Sequence, residues 1–442
     1  MTLRKTRATC VLSALIAFLA LLMSLGCVVG PNYKRPAAPN VPGYTPSLPA
    51  TTSSSPNVPA GEAQSFVPGR DIPGDWWTLF HSKVLNDLIE RSLKNNPDLK
   101  SMQAALLAAR ENTLAQRGAY YPSVSGSFSA TRAKTSDELS PVPNANEFQY
   151  SLFTPEVSVS FTPDVFGLNR RTVESFKAQQ EQARFVVAAT NITLSSNVVN
   201  AAIQEASLRA QIDATNELIK INTNMLDVLR KQFEKGYVGR LDVAAQEAQL
   251  AQIVSTLPPL LKQLAQQRDL LGALSGGFPN EDLAETFELS SLRLPQELPL
   301  TLPSKLVEQR PDVLQAEENL HSTSALIGVA HANRLPSFNL TGDIGSMALA
   351  FGNIFSAGNG FRDATAGVTQ PIFEGGTLMH KERAARAAYV QADEQYRSTV
   401  LTAFQNVADT LHAIEQDADG LKAAVAARDA AKVTLDLSLI HI

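Results

Sequence analysis

The feature that most constrains this chain is a helical stretch over residues 168–233, which contains neither proline nor glycine. From residue 194 its apolar side chains recur in alternating steps of four and three, at Leu194, Val198, Ala201, Leu208, Ile212, Ile219, Leu226, Leu229 and Phe233. A stripe with this spacing, kept over so many turns, is typical of a coiled-coil seam. At 1.5 Å per residue the helix is expected to be roughly 100 Å long, so it must lie along other helices.

Composition excludes several classes of function. Charged residues make up 18% of the 442 residues and the net charge is -5, which gives no reason to expect a nucleic-acid partner. The six histidines are scattered without metal-ligand spacing, and no glycine pair has the strand-turn-helix context of a phosphate loop. We therefore predict no metal, no cofactor and no enzymatic activity.

The N-terminus has the pattern of an export signal over residues 1–26. A positively charged start precedes an apolar run at 11–23, which is short for a transmembrane helix and suits a secretory signal. The run ends in Ser-Leu-Gly-Cys at 24–27, similar to a bacterial lipoprotein processing site, which predicts Cys27 as an acylated, palmitate-bearing lipid anchor. The alternative is ordinary signal cleavage with Cys27 as a bystander. No other stretch approaches the ~20 apolar residues of a spanning helix, so any further crossing is expected to use strands.

The chain resembles itself in two halves. Asn-Pro-Asp-Leu at 96–99 recurs as Arg-Pro-Asp-Val at 310–313, and in both halves another proline follows 25 residues later. The offset between the halves is 214 residues at these positions and 208 at the later prolines, so the second half has a shorter middle loop. Such a match indicates duplication. After an extended, lipidated N-terminal segment (27–82), we predict a first structural repeat at 83–275, an equatorial segment at 276–302 and a second repeat at 303–442. The repeats are expected to contain a long helix at 168–233, a return helix at 240–274 and a second long helix at 377–437.

Four segments alternate strictly between apolar and small polar residues, at about 122–132, 152–162, 336–346 and 363–371. This alternation is the signature of outer-membrane strands, although a soluble sheet with one half-buried face has the same pattern. Four strands are too few to close a barrel, and an open sheet edge in lipid leaves backbone groups unpaired. If these strands cross a membrane, several copies of the chain must share one barrel.

Three further motifs carry a family resemblance: the mature start at 27–36, the Trp-Trp-Thr-Leu-Phe entry at 76–80, and Phe-Glu-Gly-Gly at 373–376. With the repeat openings, they resemble the TolC-like outer-membrane factor family, in its lipoprotein branch of NodT/OprM-type efflux channels. The resemblance implies a mainly α fold with a small β part, in which long antiparallel helices form a periplasmic α-barrel. It implies a homotrimer in the outer membrane, with four strands per protomer in one shared twelve-stranded transmembrane barrel.

The implied function is that of a passive exit duct in a tripartite efflux system, carrying small molecules such as drugs from the periplasm to the exterior. The implied partners are outer-membrane lipid, a periplasmic adaptor (membrane fusion) protein and an inner-membrane pump. Two alternatives stay open: the duct of a protein secretion system, and a soluble periplasmic coiled-coil scaffold. The second repeat ends without a returning helix, so we expect a truncated chain that lacks roughly 40 residues of the family pattern.

The turn at 235–243, between the long helix and its return, is the expected periplasmic mouth. It contains two helix-breaking glycines, Gly236 and Gly239. The resemblance implies that inter-helix turns close the pore by salt bridges and hydrogen bonds, and by motif it points to Arg240 and Asp242 as gate residues, with Tyr237 nearby. The competing interpretation is that Asp242 merely caps the returning helix, where a carboxylate gains about 0.3–1 kcal/mol from the helix dipole.

Overall fold

The computed structural model of the protein describes residues 28–47, 49–56, 58–134, 149–281 and 284–441. Its helices are α1 (Lys83–Asn95), α2 (Pro97–Arg117), α3 (Leu168–Glu234), α4 (Arg240–Leu274), α5 (Pro303–Gln309), α6 (Pro311–Ala332) and α7 (Thr377–His441). Its strands are β1 (Ser65–Pro68), β2 (Ser123–Lys134), β3 (Gln149–Phe161), β4 (Glu297–Leu300), β5 (Ser337–Ser346) and β6 (Gly360–Thr369). The predicted fold class, mainly α with a small β part, is confirmed.

The chain divides into two compact units, each built from several segments. The sheet unit comprises the described residues of 1–36 together with Leu107–Gln182 and Gln315–Arg397. The helical unit comprises the described residues of 37–106, 183–314 and 398–442. Helices α2, α3, α6 and α7 each contribute to both units, and so does each of the two repeats proposed from the sequence.

The helical unit has its core where α1 packs against α3 and α4. Leu88 and Ile89 of α1, Val198 of α3 and Leu271 of α4 are fully buried in one cluster. Trp77 packs against this cluster, with Trp76 and Phe80 beside it. Burying a leucine or isoleucine side chain contributes about 1.5–3 kcal/mol, so this cluster fixes the N-terminal part of α1 against the long helix.

Burial of the α3 seam becomes less regular toward the turn. Leu194, Val198 and Leu208 are at most 6% exposed, whereas Phe233 is 41% exposed although Leu226 is only 4% exposed. α4 returns along this part of α3. One copy of the chain therefore covers its seam fully at the core and incompletely at the turn.

A glutamate interrupts the apolar seam of α3 at Glu205. Its side chain is fully buried, and its Oε1 accepts hydrogen bonds from Arg209 at 2.7 Å and Arg268 of α4 at 3.2 Å. A buried carboxylate is tolerated only when it is paired. The seam position that breaks the apolar pattern therefore links α3 to α4 through an ion pair.

The sheet unit contains a four-stranded antiparallel sheet in the order β2-β3-β5-β6. The strand ends that join helices are called here the helix end of the sheet. The opposite ends, which adjoin residue 135 after β2 and the loop at 347–359 between β5 and β6, are called the loop end. β3 keeps its pairing with β2 through Pro155. The short strands β1 and β4 form a separate parallel pair in the helical unit.

The N-terminal segment is docked at the helix end of the sheet. The Val29 N–H donates to the Phe166 carbonyl at 3.1 Å, and the buried Arg171 guanidinium donates to the carbonyls of Val29 and Gly30. Gly30 has a φ of 90°, and a side-chain carbon there would collide with the backbone of Gly328. The predicted anchor residue, Cys27, lies outside the described residues.

By length and composition alone, one described helix, α3, is long and apolar enough to cross a membrane. This differs from the sequence expectation, in which only the leader approached that composition. One third of the apolar window is buried inside the protein. A core helix passes the same test, so the finding does not by itself make α3 a membrane span.

Candidate functional site

The register of the sheet sorts its side chains onto two chemically different faces. Paired residues of antiparallel strands lie on the same face. One face carries Val124, Phe128, Val157, Val159, Leu340, Ile344, Ala366 and Val368. The other carries Ser123, Ser125, Ser127, Ser158, Ser160, Asn339, Thr341, Thr365 and Thr369. Four strands thus form one continuous apolar face and one continuous polar face.

Much of the apolar face is left exposed by the rest of the described chain. Val124 is 67% exposed, Phe128 56%, Ile344 62% and Val368 64%. A contiguous exposed apolar surface of this kind marks contact with a membrane or a partner protein. The small hydroxyl side chains opposite are suited to lining water.

The two outer strands of the sheet each have one free edge. Within the described chain, β2 pairs only with β3, and β6 pairs only with β5. Such edges present a row of unsatisfied N–H and C=O groups. In a membrane these groups must be paired by further strands, so the site is incomplete in a single copy.

Two ionic clusters lie at the helix end of the sheet, and the sequence did not predict them. Glu382 of α7, 7% exposed, accepts from Arg334 at 2.5 Å and from Arg386 at 2.8 Å. Hydrogen bonds from Arg386 and Arg334 lower the pKa of Glu382 to about 2. Of the ion pairs around Glu382, only Glu382–Arg386, with its i,i+4 spacing, has a signal in the sequence.

The second cluster joins α3, α6 and the N-terminal segment around His321. The His321 ring lies 3.2 Å from a Glu174 oxygen and 3.3 Å from a Glu318 oxygen, and Tyr33 stacks on it at a centroid distance of 4.3 Å. Hydrogen bonds to Glu174 and then to Glu318 raise the pKa of His321 to about 9. The imidazolium therefore holds the docked segment to two helices.

The turn between α3 and α4 brings the three predicted gate residues together at a solvent-exposed end. Tyr237 is 81% exposed, and Arg240 and Asp242 are exposed as well. Gly236 has a φ of 79°, the left-handed conformation that ends α3. Asp242 Oδ2 accepts a hydrogen bond from the Gly239 N–H at 2.9 Å, so the carboxylate caps α4. Within the described chain, the Arg240 side chain makes no ion pair.

No cluster of three or more His, Cys, Asp or Glu suited to a metal ion occurs among the described residues. The ion pairs around Glu382 and His321 join helices and the N-terminal segment to one another. The features that remain for function are the two-faced sheet, its open edges and the exposed turn.

A two-faced sheet with open edges, continued by helices of up to 67 residues, defines a membrane channel that is assembled from several copies. The sequence model of the family "Outer membrane efflux protein" matches residues 88–277 and 302–440. The chain belongs to this family. It is therefore an efflux channel of the bacterial outer membrane, as the sequence predicted.

Individual relatives support the same assignment. The probable efflux pump outer membrane protein TtgC of Pseudomonas putida is 30% identical over 397 residues, covering 88% of this chain and 78% of that protein. The cation efflux system protein CusC of Escherichia coli is 27% identical, covering 90% and 82%. The outer-membrane channel OprN has a TM-score of 0.82 at 24% identity, covering 94% and 89%. The relatives are efflux and channel proteins rather than enzymes.

The His321 cluster predicts a pH dependence of stability. The pKa of His321 is raised from 6.5 to about 9 on folding, so its contribution is fully present below pH 6.5 and is lost as the pH rises through about 9. We expect the melting temperature of the full-length protein in detergent to fall between pH 6.5 and 9.5, and His321→Gln to flatten this fall. His380→Gln, which changes an exposed histidine, is the control. A fall of equal size in His321→Gln and wild type contradicts the prediction.

Proposed function

We propose that the protein is the passive exit duct of a tripartite efflux system, in which three copies share one barrel and release small molecules to the exterior. The observation that carries the proposal is the two-faced sheet with two free edges. Three copies supply twelve strands and join every free edge to a neighbour. A barrel wider than eight strands has room beyond its own side chains, and the serines and threonines of the polar face leave that lumen wet.

The duct is proposed to be unselective, with the choice of solute made by the pump. Relatives carry names that refer to solutes as different as toluene and cations. No single binding pocket suits both. A lumen lined by small hydroxyl groups passes either without catalysis and without a cofactor.

The proposed partners beyond the trimer are a periplasmic adaptor and an inner-membrane pump. The exposed turn after α3 supports an adaptor contact, because Tyr237 and Leu241 are each 81% exposed there. Two large side chains left in water at the end of a long helix pair are suited to a protein partner. Outer-membrane lipid is the proposed partner of the apolar face.

Charge placed on each face of the sheet tests the duct proposal. Phe128→Arg puts a charge in the apolar band and is expected to cost about 2–4 kcal/mol near the bilayer midplane, so assembled protein should be lost from outer membranes. Ser127→Arg, one residue away on the polar face, should still assemble. The readouts are heat-modifiable migration on a gel and single-channel conductance in planar bilayers. Equal tolerance of arginine at both positions would refute the assignment of the faces.

The lipid anchor is proposed at Cys27. The docked positions of Val28 and Val29 support it, because both residues lie against the Phe166–Gly167 segment at the helix end of the sheet, where a membrane boundary is expected. Labelled palmitate should be incorporated into the wild type and should be absent from Cys27→Ser. The variant should nevertheless remain in the membrane fraction, because the strands hold it there. A freely soluble Cys27→Ser protein would contradict the barrel rather than the anchor.

The gate is proposed at the turn after α3, with Arg240 and Asp242 in ionic contacts between neighbouring copies and Tyr237 beside them. An exposed ion pair contributes about 0–1 kcal/mol, so a ring of several pairs is needed to keep the pore shut, and salt should loosen it. The cap that Asp242 forms on the Gly239 N–H is compatible with this role, because that bond uses only one carboxylate oxygen.

Two substitutions of Asp242 separate the gate from the cap. Asp242→Asn keeps an acceptor for the Gly239 N–H but removes the charge, whereas Asp242→Ala removes both. A gate predicts higher conductance in planar bilayers for both variants and for Arg240→Ala, with a smaller difference from wild type in high salt. A role in capping alone predicts unchanged conductance in all three, with a lower melting temperature in Asp242→Ala.

A further inference from the structure

The charged residues of the four strands are sorted between the two faces of the sheet. The basic ones are Arg132, Lys134 and Arg362, and the register places all three on the apolar face, with Arg362 paired to Ile344 and Arg132 two residues beyond Ala130. The acidic ones are Glu156, Asp343 and Asp363, and all three lie on the polar face. Toward the last residues of β2 the apolar face becomes polar, because Arg132 pairs with Ser151 and Lys134 with Gln149.

Two of the basic residues occupy the loop end of that face. Arg132 and Lys134 are among the last three residues of β2, whereas Arg362 of β6 is level with Gly126 of β2 in the register. All three side chains are exposed, and within the described chain none forms an ion pair. A cation on the lipid face is costly at the bilayer midplane and inexpensive near the interface. The position of Arg132 and Lys134 therefore marks the outer boundary of the apolar band.

An aromatic cluster lies directly inside this boundary. The loop at 347–359 folds back onto the apolar face, where Phe351 makes edge-to-face contacts with Phe128 at 6.3 Å and Phe153 at 5.8 Å between ring centroids. The same loop leaves Phe355 96% exposed and Leu349 68% exposed. The loop thus adds apolar contact surface between Arg362 and the two cations of β2.

We propose that this basic–aromatic border, formed by Arg132, Lys134 and Arg362 around the cluster of Phe128, Phe153 and Phe351, binds the phosphorylated glycolipid of the outer leaflet. The phosphates of such a lipid pair with the cations, Arg in bidentate fashion, while its acyl chains lie along the aromatic and aliphatic residues. The loop end is the end away from the helices that enter the periplasm, so it meets the outer leaflet. The inference rests on the proposed contact of the apolar face with lipid.

The test measures lipid binding to the full-length protein in neutral detergent micelles by native mass spectrometry. Bis-phosphorylated lipid A is expected to bind the wild type about tenfold more tightly than its dephosphorylated form or phosphatidylglycerol, and added salt should reduce the difference. The variant Arg132→Gln/Lys134→Gln/Arg362→Gln should lose this preference. Arg132→Lys/Arg362→Lys keeps the charges and should retain most of it.

The matched control, Lys100→Gln/Lys262→Gln/Lys422→Gln, removes the same charge from exposed positions of the helical unit and should bind like the wild type. Equal binding of phosphorylated and dephosphorylated lipid A to the wild type would overturn the proposal, even if the triple variant fails to fold. Equal binding of phosphatidylglycerol, or an unchanged preference in the folded triple variant, would overturn it as well. None of these results bears on Phe128→Arg and Ser127→Arg, which test the lipid-facing side separately.

Discussion

The constraint on which the rest of the structure depends is that backbone N–H and C=O groups in lipid must be paired within the protein. The β2–β3–β5–β6 sheet leaves one edge of β2 and one edge of β6 without partners among the residues that the structure describes. Neither edge can face hydrocarbon, so the strands of other copies must continue the sheet until it closes. Assembly is therefore a condition for membrane insertion. Only in the closed barrel does the apolar face contact lipid while the polar face lines the lumen.

The long helix is subject to a comparable constraint in water, because its apolar stripe must be covered by other helices. Its seam is buried at Val198 and Leu208 but open at Phe233, because one return helix shields only one side of it. An apolar stripe that continues past its own cover implies neighbours along the remaining length. Glu205 shows the complementary case, since a polar residue is accepted on the seam where two arginines meet it. Strands and helices thus both require neighbouring copies, through edges in one case and an uncovered stripe in the other.

The regular elements could be predicted from the sequence because local patterns determine them. The long helix ends at Glu234 because Gly236 takes a left-handed conformation, and the strand faces follow from strict alternation. β3 begins at Gln149, three residues earlier than predicted, because its polar start pairs with the end of β2 without an alternation signal. Pro258 and Pro259 lie within α4 without ending it, although proline is a helix breaker.

The contacts that could not be predicted join residues far apart in the chain. The bond of Arg171 to the Val29 carbonyl spans 142 residues and that of Arg334 to Glu382 spans 48, and no spacing rule reports such pairs. The turn at Tyr237, Arg240 and Asp242 is intermediate: its location follows from the glycines, whereas the contacts between copies that we propose for it leave no signal in one sequence. Local sequence patterns therefore located the sheet and the turn. The long-range contacts at the helix end of the sheet are seen only in the folded structure.

The distribution of charge along the sheet unit indicates where the membrane lies. At the helix end, Glu382 and His321 sit in ionic clusters, and at the loop end Arg132 begins the basic border. Between these ends the apolar face of β3, from Phe153 to Phe161, carries no charge. Nine residues at about 3.3 Å each, tilted by about 40°, span about 23 Å, close to the ~25 Å apolar band of outer-membrane barrels. Each end of this band is thus marked by charged groups, which pair with one another within the protein at the helix end and with lipid phosphates, in our proposal, at the loop end.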